Sequence, residues 1–102
     1  MLFIVIGRDG TDEGALERRK AVREAHLENI ESYGAKMIMG AATLSEEGGT
    51  MNGSVMMVDF PDRAAFDEWF NNEPYVTGKV WDQVEVIPAQ MGPTFAKRLN
   101  LV

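Results

Sequence analysis

Apolar residues fall into four short runs, and two stretches of helical spacing lie between them. Residues 2–7, Leu-Phe-Ile-Val-Ile-Gly, form a continuous run of strand length, which predicts a strand covered on both faces. Residues 35–44 predict a second strand. Met37, Met39 and Ala41 alternate there with Ile38, Gly40 and Ala42, so both faces are apolar or small, and Gly40 marks a bulge or a close backbone approach. A polar loop over 45–53 leads to a third Val- and Met-rich strand at 54–60, and the two read as an antiparallel hairpin. The fourth run, 80–87, sets Val80, Asp82, Val84 and Val86 against Trp81, Gln83, Glu85 and Ile87, and Pro88 is expected to end it.

The first helical stretch is 13–33, opened by Asp12, Glu13 and Gly14 and closed by a left-handed cap at Gly34. Loop chemistry at 8–12 precedes it. The second is 63–71, with Asp62 as N-cap and Ala65, Phe66, Trp69 and Phe70 facing inward. Asn71-Asn72-Glu73-Pro74-Tyr75 breaks it, because the residue before a proline resists helix, and 75–79 has room for one short turn.

The order is β-α-β-β-α-β, the ferredoxin-like split βαβ pattern: an α+β fold with an antiparallel four-stranded sheet and two helices on one face. The opposite face carries Met, Val and Ile in the second and third strands, too apolar to stay in water. A homodimer packed sheet to sheet is therefore expected, a dimeric α/β barrel, and the 7 methionines suit such adaptable packing. Residues 1–88 make the domain. The tail at 89–102, with its Met-Gly-Pro turn, belongs to the same domain or to its dimer interface.

One feature of the first helix departs from simple amphipathicity. At 100° per residue, Leu16, Val22, Leu27, Ile30 and Tyr33 share an arc, and Glu17, Lys20, Glu24, Glu28 and Glu31 lie opposite. Arg19, Arg23 and His26 fall inside the apolar arc, at i, i+4 and i+7. Inward cations cost free energy unless something pairs with them, and the partner is either a structural carboxylate or a ligand.

Composition narrows the chemistry. A chain of 102 residues is one domain by size. Its net charge of −6 opposes binding a polyanion, so no nucleic-acid partner is expected. The absence of cysteine excludes a thiol nucleophile, a thiolate metal site and a disulfide. One histidine with scattered carboxylates gives no metal-ligand spacing, and neither Gly48-Gly49 nor Gly92-Pro93 fits a phosphate loop. The apolar start is too short to span a membrane and lacks a basic flank and a cleavage site, which predicts a cytoplasmic protein with no membrane partner.

His26 is then the candidate general acid or base, the alternative being a histidine satisfied by a backbone carbonyl. Glu73, beside a rigid proline, is a candidate to orient it, the alternative being a solvated helix-end carboxylate. Ser54 either bonds a ligand or begins a strand, and no base stands near it to make a serine hydrolase. The aromatic group that includes Trp69, Tyr75 and Trp81 builds core and pocket walls.

With these residues in order, the chain resembles the YciI-like (YCII-related) family of small dimeric α/β-barrel proteins. The resemblance rests on the N-terminal apolar strand, Arg23-Glu24-Ala25-His26-Leu27 (the family's Arg-x-x-His-Leu), Gly53-Ser54, Glu73-Pro74-Tyr75 and the closing strand at 80–88. It implies a ferredoxin-like subunit that dimerises through its sheets, with an active-site pocket built on a histidine–aspartate pair. His26 matches the histidine. The aspartate falls in an Asp-Pro-Tyr motif, and this chain has Glu73 there, which keeps the charge and reaches about one methylene further. A related member removes chloride from a hydroxylated aromatic ring. The function so implied is an elimination, isomerisation or related proton transfer on a small anionic or cyclic substrate, without a cofactor. His26 and Glu73 would be catalytic, and Arg19, Arg23, Ser54 and Tyr75 would bind substrate. The alternatives are a ligand-binding or accessory protein with the same pocket, and a cofactor-free monooxygenase of the wider barrel group.

Overall fold

The computed structural model describes residues 1–100; Leu101 and Val102, the last two residues of the expected tail, lie outside the described residues. The elements are β1 (Leu2–Asp9), α1 (Ala15–Tyr33), a 3-10 turn (Gly34–Lys36), β2 (Met37–Leu44), β3 (Met51–Asp59), α2 (Arg63–Asn72), α3 (Pro74–Thr77), β4 (Trp81–Ala89) and α4 (Pro93–Arg98). The strands form one four-stranded antiparallel sheet in the order β2-β3-β1-β4, the ferredoxin-like α+β fold.

Register divides the sheet residues between two faces. Phe3 pairs with Val58, Val5 with Met56 and Gly7 with Ser54, and this set turns toward the helices. There α2 seats Phe66 and Trp69, both fully buried, against Phe3, Val5, Val58 and Phe60. Asp62 caps α2 as the sequence predicts, accepting from Ala65 N at 2.8 Å. The alternate set, with Ile4 opposite Met57 and Ile6 opposite Val55, forms the outer face. Met39 and Ile87 on that face are 47% and 41% exposed in the single chain.

The structure moves several predicted boundaries. β1 runs on through Arg8 and Asp9, which loop-forming composition had assigned to a turn, and its register with β4 shifts between those two residues. β3 begins at Met51, inside the expected loop, because Met51 and Gly53 still pair with β2. Pro88 does not end β4: it pairs with Phe3, and β4 is an edge strand, where a missing N–H is tolerated. α1 starts at Ala15 and is closed by Gly34 at φ 59°, a conformation that glycine adopts without penalty. Leu27, expected inside, is 42% exposed, because the side of α1 it occupies faces a cavity rather than core.

Within the tail, Pro93–Arg98 form α4, beside the outer face. Leu2, Ile4, Met39 and Met57 of the sheet line one groove with Phe95 and Leu99. No helix among the described residues is long and apolar enough to cross a membrane.

Candidate functional site

The buried residues of α1 are Ala15, Arg19 and His26, so two polar side chains turn inward beside the half-buried Val22, Ile30 and Tyr33. His26 Nδ1 meets Glu73 Oε1, and the imidazole is 7% exposed and the glutamate 0%. Asn29, one turn beyond His26, donates Nδ2–H to Glu73 Oε2 at 3.0 Å, and the Tyr75 backbone N–H donates to Glu73 Oε1 at 3.2 Å. Three donors thus converge on one buried carboxylate. It is held there because Glu73 caps the N-terminus of α3 and Pro74 fixes the turn that follows.

A carboxylate on Nδ1 takes the Nδ1–H tautomer, which leaves Nε2 with the lone pair. Nε2 has no protein partner among the described residues. The Tyr75 ring lies against the imidazole, and the Arg19 guanidinium sits over the same ring at 4.7 Å. Burial raises the Tyr75 phenol above its ordinary value, with Arg19 and Arg23 opposing the shift, so it remains a neutral hydroxyl.

Arg19 finds a structural carboxylate. Its Nη1 donates to Asp9 Oδ1 at 2.9 Å and Oδ2 at 3.1 Å, with side chains 4% and 3% exposed. Its Nη2 donates to Ser54 Oγ at 2.9 Å, while its Nε, also buried, has no partner among the described residues. Trp81 Nε1 donates to Ser54 Oγ at 3.3 Å. The indole reaches that far because it lies over Gly7: a Cβ there would come within 2.5 Å of Trp81 Cδ2.

Some of these residues line an open cavity of about 300 Å³ between α1 and the β2–β3 side of the sheet, at the small end for a ligand pocket. His26, Ser54, Tyr75, Arg19 and Arg23 all line it, and Gly40 and Ala42 put little volume on the β2 side. Arg23, placed inward by its spacing, is exposed at the rim and makes no ion pair within the described residues. The structure therefore brings all six candidate residues together. Spacing missed Asp9, Asn29 and Trp81. Asn29 stands at i+3 from His26, a spacing that could have signalled a shared partner. The other two carried no such mark. Among the described residues no group of three or more His, Asp or Glu side chains could hold a metal ion.

The sequence model of the YCII-related domain matches residues 1–90. The protein YciI of Escherichia coli O6:H1 is 30% identical over 95 residues, covering 86% of this chain and 95% of its own length. Among solved structures, the 5-chloro-2-hydroxyhydroquinone dehydrochlorinase TftG of Burkholderia phenoliruptrix AC1100, in complex with 2,5-dihydroxybenzoquinone, superposes with a TM-score of 0.81 at 26% identity, over 92% of this chain and 98% of that one. An antibiotic biosynthesis monooxygenase superposes with a TM-score of 0.54 at 18% identity, over 91% of this chain and 100% of that one, a likeness of fold alone.

Proposed function

The chain belongs to the YCII-related family, and from that premise we propose that it is a small enzyme that moves a proton on a small anionic or cyclic substrate. The step is an elimination, an isomerisation or a related proton transfer, with His26 as general acid or base. The observation that carries this reading is the buried Glu73–His26 pair at the wall of the cavity, with Nε2 left unpartnered. Nε2 takes a proton from substrate, and the electrons of the broken bond form an enolate or a new double bond. In an elimination the leaving group departs with its bonding pair. Glu73 orients the ring and stabilises the imidazolium until the proton is returned. Arg23, with no carboxylate partner among the described residues, attracts the anionic oxygen. A dehydrochlorinase among the structural relatives supports this class of chemistry.

The same reading has the working unit a homodimer. Ile4, Ile6, Val55 and Met57 sit on one outer face, and a second copy laid on that face would remove them from water. A cytoplasmic location belongs to this reading too, since a chain without cysteine loses nothing in a reducing compartment.

The test is turnover of small acidic and phenolic compounds, chlorinated and not, by wild type and His26→Ala. Loss of a general acid–base group lowers kcat by about 10²–10⁴-fold, with binding of a product analogue changed only a few-fold. Tight binding without turnover by wild type would instead identify a binding protein. Oxygen uptake during turnover would identify a monooxygenase.

A further inference from the structure

The Ser54 hydroxyl is approached by two groups that can only donate. Arg19 Nη2 reaches its oxygen at 2.9 Å and Trp81 Nε1 at 3.3 Å. A guanidinium and an indole carry no acceptor, so both lone pairs of Oγ are engaged and the hydroxyl proton needs an acceptor of its own. Among the described residues Ser54 donates to none, although it is only 4% exposed. It lines the cavity, and so does Tyr75, whose hydroxyl also has no protein partner among the described residues. The cationic Arg19 pulls electron density from Oγ and strengthens the outward donation. Asp9 fixes this arrangement from behind by gripping the guanidinium through two oxygens. Around the cavity, then, Ser54, Tyr75 and Arg23 present donors, and Nε2 of His26 is the acceptor.

Resting on the proton-transfer reading, we propose that Ser54 is a substrate-binding donor with its direction set by Arg19 and Trp81, that Asp9 is a positioning residue acting through Arg19, and that the ligand they select carries an oxyanion or enolic oxygen. A donor-only ligand would leave the Ser54 proton buried without an acceptor.

The test is calorimetric binding of 2,5-dihydroxybenzoquinone, the compound bound by a structural relative, to wild type, Ser54→Ala, Ser54→Thr, Asp9→Asn and His26→Ala, each checked for folding by circular dichroism. A hydrogen bond to a charged oxygen predicts that Ser54→Ala raises Kd on the order of tenfold to a hundredfold. Ser54→Thr, which keeps a hydroxyl, restores most of the affinity. Asp9→Asn raises Kd several-fold while the protein stays folded. If wild type binds and Ser54→Ala binds within twofold of it, the donor role is overturned and the role of His26 stands. The donor role is likewise overturned if Ser54→Thr binds no better than Ser54→Ala. An Asp9→Asn protein that binds like wild type overturns the positioning role. If wild type fails to bind the quinone at millimolar concentration, the proposed ligand class is overturned, while the proton-transfer reading is decided separately by turnover in wild type against His26→Ala.

Discussion

His26 and Tyr75 lie face to face, their ring centroids 3.7 Å apart and their planes 9° from parallel. Tyr75 is the shelf on which the imidazole rests, and at 2% exposure it is also core. Truncating a buried aromatic costs about 3–5 kcal/mol, so Tyr75→Ala should lower the free energy of unfolding by that order. Tyr75→Phe keeps the stacked ring and should stay within about 1 kcal/mol of wild type. Urea denaturation of the two variants checks this. Any activity should fall far further in the alanine variant than in the phenylalanine one.

The same tyrosine gives an alkaline dependence. Burial holds the phenol above its ordinary 10.0, against the opposing pull of Arg19 and Arg23. Above that value the folded chain therefore keeps a proton that the unfolded chain has lost. The resulting stability is complete below the unfolded value and is lost as pH rises through the folded one. Unfolding free energies measured from neutral pH to well above pH 10.0 should fall more steeply for wild type than for Tyr75→Phe, which has no such proton.

Glu73 fixes the imidazole tautomer. With its carboxylate on Nδ1, two-dimensional ¹H–¹⁵N spectra of the only histidine should show the Nδ1–H form. Glu73→Gln can present an amide N–H to the same nitrogen, and the spectrum should gain the Nε2–H form. Glu73→Ala leaves His26, Asn29 and the Tyr75 N–H without their acceptor and should cost about 3–5 kcal/mol on unfolding.

The Asp9–Arg19 pair is buried on both sides. Removing only the carboxylate strands a guanidinium, so Asp9→Ala should cost about 3–5 kcal/mol. Replacing both partners with apolar residues of similar size, Asp9→Leu with Arg19→Met, should recover most of that loss, and a double-mutant cycle measures the coupling.

At the start of α1 a second Arg–Asp pair lies in solvent. Arg18 donates to both oxygens of Asp12, each at 2.7 Å. This guanidinium holds the exposed Asp12 carboxyl at about 2, down from 3.8. The contribution is whole above the ordinary value and is lost as pH falls through the lowered one. A ¹³C carboxyl titration should find the low midpoint in wild type and a return toward 3.8 in Arg18→Ala.

Much of the scaffold was legible because local signals agreed with one another. Val- and Ile-rich runs gave the strands, Asp62 and Gly34 gave helix ends, and the inward placement of Arg19 and His26 on α1 marked a candidate site. The link from His26 to Glu73 spans 47 positions, and periodicity says nothing about such a distance; the Glu-Pro pair made Glu73 a candidate, and family resemblance joined it to His26. Asp9 was hidden for a different reason. Arg8-Asp9-Gly10 has the composition of a turn, and only the pairing of β1 with its neighbours extends the strand far enough to aim that carboxylate at Arg19. Trp81 was read as a wall, because its contact with Ser54 depends on a side chain that Gly7 lacks.

Glu73 occupies the corner between α2 and α3, where its side chain receives the Tyr75 amide and the imidazole together. A mutation at this codon is therefore judged twice in one generation, as a bend in the chain and as a companion to histidine. A lineage can vary the cavity walls at Gly40 or Ala42 one step at a time. At position 73 it must change the corner and the imidazole's partner in a single step.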